Sequence, residues 1–201
     1  MSSEVKKDRS LILLKPDAVQ RSLVGEMIKR FEQKGLKFTA MKMIMATEAQ
    51  CEDHYNKDDA WFEEKGQKVV DEMEKEGVTP EKPAIEYGRD IIRTVVKYMT
   101  AGPILAIIAE GHRAPDVVTS LVGTTEPLSA DIGTIRGDFT IDSYYMATIG
   151  NRAIRNLIHC SEDDDEAKRE IKIWFDENEI MDYATTQERV LYDVNGDGLW
   201  E

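Results

Sequence analysis

The chain has 201 residues, 41% of them hydrophobic and 32% charged, with a formal net charge of −13 at pH 7. That length accommodates one sizeable core, and the acid excess argues against a nucleic-acid-binding surface, which needs clustered lysine and arginine. It does not exclude an anionic small ligand, because a negative protein binds phosphate by concentrating a few cations locally. Cys51 and Cys160 are isolated and lack metal-ligand spacing, so they read as free thiols in a reducing compartment. Met1 to Arg9 is a polar segment without the apolar core of a signal peptide, and no run approaches the ~20 apolar residues that span a bilayer. The chain reads as cytoplasmic, with no membrane partner.

In chain order, Ser10 to Leu14 is a short apolar run closed by Lys15-Pro16-Asp17, the pattern of a buried strand ending in a turn. Val19, Leu23, Met27, Ile28 and Phe31 then recur at helical spacing, and Gly35 ends that helix. Leu36 to Ala46 reads as a second strand, and Glu48 to Tyr55 as a helix capped by Thr47. A helix is expected over Asp59 to Glu76, a turn over Pro83 to Gly88, and another helix over Asp90 to Met99. Ile104 to Ala109 is a further buried strand and Val117 to Val122 a short helix; a long loop follows from Gly123 to Asp138. Phe139 to Ile149 is ambiguous and Leu157-Ile158 too short to classify, while Glu166 to Phe175 is helical in Ala167, Ile171, Trp174 and Phe175. Two strand–helix–strand units in succession indicate an α+β fold, a split β-α-β sandwich of the ferredoxin-like type.

The chemistry concentrates in three segments. In Asn156-Leu157-Ile158-His159-Cys160-Ser161-Glu162, His159 has the side chain that is a neutral nucleophile at pH 7 and can carry a phosphoryl group. Glu170, on the following helix, is placed to accept from its far ring nitrogen. Lys15 emerges at the end of a buried strand on a turn stiffened by Pro16. Arg136 stands in Gly133-Thr134-Ile135-Arg136-Gly137-Asp138, where its planar fork of donors suits a phosphate; the ordinary alternative is a pair with Asp138. Trp61 and Phe62 are candidates for stacking on a nucleobase, and packing is the alternative for each. His54 and His112 have no ligand spacing and read as surface or packing residues.

Together these segments closely resemble the nucleoside diphosphate kinase family, from about residue 10 to residue 192. The resemblance implies a four-stranded antiparallel sheet covered by helices. It also implies ping-pong transfer of a γ-phosphoryl group from a nucleoside triphosphate to a nucleoside diphosphate through phosphorylated His159. It gives Glu170 the orientation of His159, Lys15 and Arg136 the phosphates, and Thr125 a phosphate hydrogen bond. Asn156 is implied to contact the sugar hydroxyl, Trp61 or Phe62 to stack on the base, and Tyr55 and Ser161 to support the histidine. Mg²⁺ is implied as the cofactor, held mainly by the nucleotide phosphates with no protein metal ligands, in a homo-oligomer, hexamer or tetramer.

Relative to that pattern the chain departs at Thr119, where the family usually has an arginine; Arg89, Arg93, Arg113 and Arg155 are candidates to replace it. Cys160 stands where a glycine is common. Residues 63–93 and 141–153 read as insertions within the 10–192 domain. In the C-terminal segment 193–201, Asp193-Val194-Asn195-Gly196-Asp197-Gly198 looks like the opening of a calcium loop, but the sequence ends before the loop's closing glutamate, and it reads as a turn-rich tail. The competing readings are a histidine-based phosphotransferase of other specificity and a catalytically weakened nucleotide-binding or assembly protein.

Overall fold

The computed structural model describes residues 7–192, so the calcium-loop-like segment Asp193 to Gly198 lies outside the described residues. Four strands, β1 (Asp8–Leu14), β2 (Lys37–Ile44), β3 (Ile104–Gly111) and β4 (Ile158–Cys160), form one antiparallel sheet in the order β2-β3-β1-β4. The α+β, ferredoxin-like expectation is met.

β1 is apolar at consecutive positions because both faces of the sheet are covered. Ile12 and Leu14 face α2 (Val24–Lys34) and α6 (Ala114–Val122), packing with Met27, Phe31, Val118 and Val122. Leu11 and Leu13 face α3 (Glu48–His54), α5 (Ala84–Met99) and α9 (Asp164–Trp174), packing with Cys51, Met99, Ile171 and Trp174. All four β1 residues have no exposed surface, and each contributes roughly 1.5–3 kcal/mol by leaving water.

Several elements differ from the sequence expectation. The first helical region is two helices, α1 (Pro16–Gln20) and α2, because Ser22 adopts φ 58° between them. α6 begins at Ala114 rather than Val117, and the expected 123–138 loop contains a 3-10 turn (Pro127–Ser129) and the start of α7 (Ile135–Phe139). The ambiguous stretch holds α8 (Tyr144–Ile149), tied down by Asp142, which accepts from Arg152 and from the Arg155 backbone N–H. A last helix, α10 (Thr186–Leu191), follows α9.

The expected turn at Pro83 to Gly88 is helix. Pro83 is the N-cap of α5, where its fixed φ is no obstacle, and the helix runs on through Gly88. That glycine is needed for packing. α5 crosses α4 (Asp59–Lys75) so closely that a Cβ on Gly88 would overlap the backbone of Phe62, and one on Gly66 the carbonyl of Ala84. Much of the 63–93 segment is therefore a helical hairpin fastened backbone to backbone. Gly66→Ala and Gly88→Ala should each destabilise the protein by about 1–3 kcal/mol. Gly25→Ala in α2, where a Cβ meets nothing within 4 Å, should stabilise it by about 0.5–1 kcal/mol. Thermal unfolding of the three variants checks the contrast.

Candidate active site

The site forms where the turn after β1 meets the start of β4. Leu157 has φ 67°, a conformation rare for a bulky residue and maintained only when the surroundings enforce it. Here the Lys15-Pro16-Asp17 turn enforces it. The Lys15 N–H donates to the Leu157 carbonyl at 2.8 Å, and the Leu157 N–H donates to Asp17 Oδ2 at 3.3 Å. This bend turns Asn156 inward, where its Oδ1 accepts from Lys15 Nζ at 2.7 Å and its Nδ2 donates to the Thr125 carbonyl at 2.9 Å.

His159 pairs with Leu13 across the sheet. Its Nε2 lies 3.1 Å from Glu170 Oε2, and the same oxygen accepts the Ser161 hydroxyl at 2.7 Å. A carboxylate only accepts, so the His159 proton resides on Nε2 and the lone pair on Nδ1. Nδ1 has no hydrogen-bond partner among the described residues. Burial, and then the charge of Lys15, push the His159 pKa down to about 3. The imidazole is therefore neutral, with one nitrogen open for attack.

Glu170 belongs to the same buried stripe of α9 as Ala167, Ile171 and Trp174, so the helix face that builds the core also delivers the carboxylate. Asp163 caps α9 by accepting from the N–H groups of Asp165 and Glu166.

Lys15 and Arg136 supply the positive charge. Lys15 is 6% exposed and has no carboxylate at ion-pair distance among the described residues. Burial, and then the Arg136 charge, lower its pKa to about 7. Arg136 is buried, and burial lowers its pKa as well. It does not pair with Asp138, which binds Arg30 at 2.7 Å. Its guanidinium donates instead to the carbonyls of Gly123, Asn156 and Ile158, at 2.9, 3.2 and 2.6 Å. Three of its five N–H groups are thereby fixed, leaving two for a ligand. Two buried cations acting on one another without a carboxylate partner make a site that an anion relieves.

Tyr55 lies with its ring 6.0 Å from that of His159, and its buried hydroxyl has no partner in the described structure. Thr125 is exposed in the loop facing the site. Trp61 and Phe62 form an edge-to-face pair at 5.6 Å at the start of α4, and Trp61 lines an open groove of about 500 Å³ with Asn56, Lys57 and Asp58. Lys57 links this groove to the histidine, since its charge acts on His159.

Thr119, in the position of the missing arginine, places its hydroxyl 3.8 Å from Cys160 Sγ, so the two departures from the family pattern touch each other. Arg89 and Arg93 pair with acids of the hairpin, and Arg113 pairs with Asp116. Arg155 lies over the Tyr98 ring at 4.0 Å, and among the four candidates its charge is the one that acts on Lys15.

His54 was expected at the surface or in packing. It is 1% exposed and packs edge-on against the His159 ring at 4.3 Å. The i, i+3 spacing of Cys51 and His54, the two buried residues of α3, is the signal that marks it as inward-facing. His54, His159 and Glu170 bring potential metal-ligand atoms within 4.8 Å of one another. The indole N–H of Trp174 nevertheless donates to His54 Nδ1 at 3.2 Å, which puts the neutral ring's proton on Nε2, where a metal would need a lone pair. His112 is exposed and outside this cluster.

The family model for nucleoside diphosphate kinase matches residues 8–92 and 60–180, two pieces that overlap on the helical hairpin. A nucleoside diphosphate kinase of Pyrobaculum aerophilum is 44% identical over 180 residues, covering 87% of this chain and 98% of its own. One from Methanobrevibacter smithii is 35% identical over 185 residues, covering 92% and 98%. Among solved structures, an NDP kinase from Pyrobaculum aerophilum superposes with a TM-score of 0.84 at 42% identity, over 88% of this chain and all of that one. A transition-state mimic of the Borrelia burgdorferi enzyme with bound vanadate and ADP superposes with a TM-score of 0.74 at 32% identity, over 90% and 95%. The chain belongs to the nucleoside diphosphate kinase family.

Proposed function

We propose that the chain performs the family's reaction with His159 as nucleophile, Glu170 as its orienting acceptor, and Lys15 and Arg136 as phosphate ligands. The observation that carries this reading is the His159 Nε2 to Glu170 Oε2 contact of 3.1 Å, which leaves Nδ1 as the open lone pair. In the first half-reaction Nδ1 forms a bond to the γ-phosphorus, and the bond to the β–γ bridging oxygen breaks. Its electron pair leaves on the nucleoside diphosphate. Positive charge develops on the imidazole, and Glu170 stabilises it through the Nε2–H. A second nucleoside diphosphate then reverses these steps. The chain contributes positioning and charge, which is what a largely dissociative phosphoryl transfer requires.

Asn156 fixes Lys15, and its remaining acceptor capacity suits a sugar hydroxyl. Thr125 and the unpartnered Tyr55 hydroxyl suit the phosphates, and Trp61, ahead of Phe62, suits the base because it lines the groove. Arg155 serves as the added cation in place of an arginine at Thr119. Mg²⁺ fits as part of the nucleotide rather than in a protein cage. The carboxylates nearest the histidine and lysine, Glu170 and Asp17, are already engaged by Ser161 and His159 and by the N–H groups of Ala18 and Leu157. When bound, the ion neutralises phosphate charge.

A homo-oligomer, hexamer or tetramer, is in keeping with the outer strand β2, which has no strand beyond it among the described residues and leaves Met41 and Met43 exposed. The free cysteines suit a cytoplasmic setting, and no helix among the described residues is long and apolar enough to cross a membrane.

His159→Ala should abolish acid-labile phosphorylation of the protein by Mg·ATP while nucleotide binding persists, as read by intact mass and calorimetry; transfer to GDP within about tenfold of wild type would refute the mechanism. Glu170→Ala should lower kcat by about 10²–10³-fold and change KM far less.

The pH dependence follows from Lys15. A bound phosphate raises its lowered pKa, so binding takes up a proton above pH 7, and kcat/KM should fall as pH rises through about 7. His159, already neutral, should add no loss between about pH 5 and 7. Lys15→Arg should remove the enzyme's share of the alkaline decline while leaving the nucleotide's own titration in place. Single-turnover phosphorylation against pH, compared between the two proteins, measures the difference.

A further inference from the structure

His54 ends α3 with its ring enclosed on every side that the core offers. Trp174 donates to Nδ1 at 3.2 Å, Tyr55 packs edge-on at 4.5 Å and His159 edge-on at 4.3 Å. Burial, and then the neighbouring His159, hold its pKa down to about 2, so the ring is neutral and carries one proton. An indole N–H donates and cannot accept. The His54 proton is therefore on Nε2, which is buried, has no hydrogen-bond partner, and lies 3.7 Å from Glu170 Oε1.

Glu170 is held unevenly. Oε2 takes two full hydrogen bonds, from Ser161 at 2.7 Å and His159 at 3.1 Å. Oε1 has only the long approaches of His54 at 3.7 Å and Arg169 at 3.6 Å. A carboxylate fixed by one oxygen swings about that oxygen. The donor facing the other oxygen from within the core is His54, and its own direction is fixed by Trp174.

We propose that His54 is a positioning residue for phosphoryl transfer: its Nε2–H, aimed by Trp174, holds Oε1 of Glu170 so that Oε2 stays on the His159 Nε2–H and Nδ1 remains the open nitrogen. This rests on His159 being the phosphoryl acceptor. No proton moves to or from His54 in the reaction. Its N–H restrains the carboxylate, and its ring edge restrains rotation of the His159 ring. The chain Trp174–His54–Glu170–His159 thus transmits a core contact to the nucleophile.

Three measurements test it. In the wild-type protein, ¹⁵N NMR should show His54 as the Nε2–H tautomer and His159 as the Nε2–H tautomer. His54→Phe keeps an aromatic ring and removes the donor; it should lower kcat about tenfold to a hundredfold, the range for loss of a residue that orients a functional group, with KM for Mg·ATP and GDP within about threefold. His54→Gln restores an N–H at nearly the same reach and should recover most of that loss; His159 should lose its single tautomer in the phenylalanine variant and regain it in the glutamine variant. A wild-type His54 carrying its proton on Nδ1 would overturn the proposal, and this reading stands even where a variant does not fold. So would a folded His54→Phe with kcat within about threefold of wild type, or equal losses in both variants. Phosphorylation of wild-type His159 by Mg·ATP separates the two levels: its absence defeats the underlying reaction, whereas its presence with an unaffected His54→Phe defeats only the role of His54.

Discussion

The structure turns on the burial of one carboxylate. Glu170 is 2% exposed, and a charge removed from water is tolerated only where donors meet it. Its two hydrogen-bond donors, His159 in β4 and Ser161 just after it, come from one stretch of the chain, while His54 at the end of α3 faces the other oxygen at 3.7 Å. α9 must therefore lie on the sheet face where Leu11 and Leu13 already collect Ile171 and Trp174. Core packing and site assembly are the same event here, because one helix stripe carries Ala167, Glu170, Ile171 and Trp174. A slip of that helix by one residue would expose Trp174 and strand the carboxylate together.

The cationic half is built from backbone. Arg136 is gripped by three carbonyls and Lys15 by the Asn156 side chain, so neither depends on an acidic partner that a phosphate would have to displace. The repulsion between them, offset only in part by Asp17, is the physical form of readiness for an anion. Around this frame the chain differs from the usual pattern in a coordinated way. Thr119 is too short to reach a nucleotide as an arginine would, and it contacts the Cys160 that fills a position where glycine is common.

Periodic, long segments were legible in the sequence. The consecutive apolar residues of β1 and β3 and the stripe of α9 repeat often enough to mark them as buried, and the proposed nucleophile His159, its acceptor Glu170 and the two cations Lys15 and Arg136 stand in motifs that resemble the family's. What escaped was set by contacts rather than by local preference. Nothing in Arg21-Ser22-Leu23 announces that Ser22 takes a left-handed turn. Pro83 and Gly88 have the composition of a break, yet the proline opens α5 and the glycine admits the backbone of α4. His54 follows Glu52 and Asp53, and that charged setting concealed a residue whose ring is packed by Trp174, Tyr55 and His159, two of them more than a hundred positions away.

The close crossing of α4 and α5 also constrains how related genes can vary in length. Gly66 must stay opposite Ala84 and Gly88 opposite Phe62, and the residues between Gly66 and Ala84, 67–83, lie beyond the crossing. Codons gained or lost in that distal arm move only its tip. The same change on the near side, between Trp61 and Gly66 or between Gly88 and Met99, would rotate one helix against the other and carry the aromatic pair with it. Natural variation in this lineage should therefore accumulate at the hairpin's outer end, with Gly66 and Ala84 marking the inner limit of what can be lengthened or trimmed.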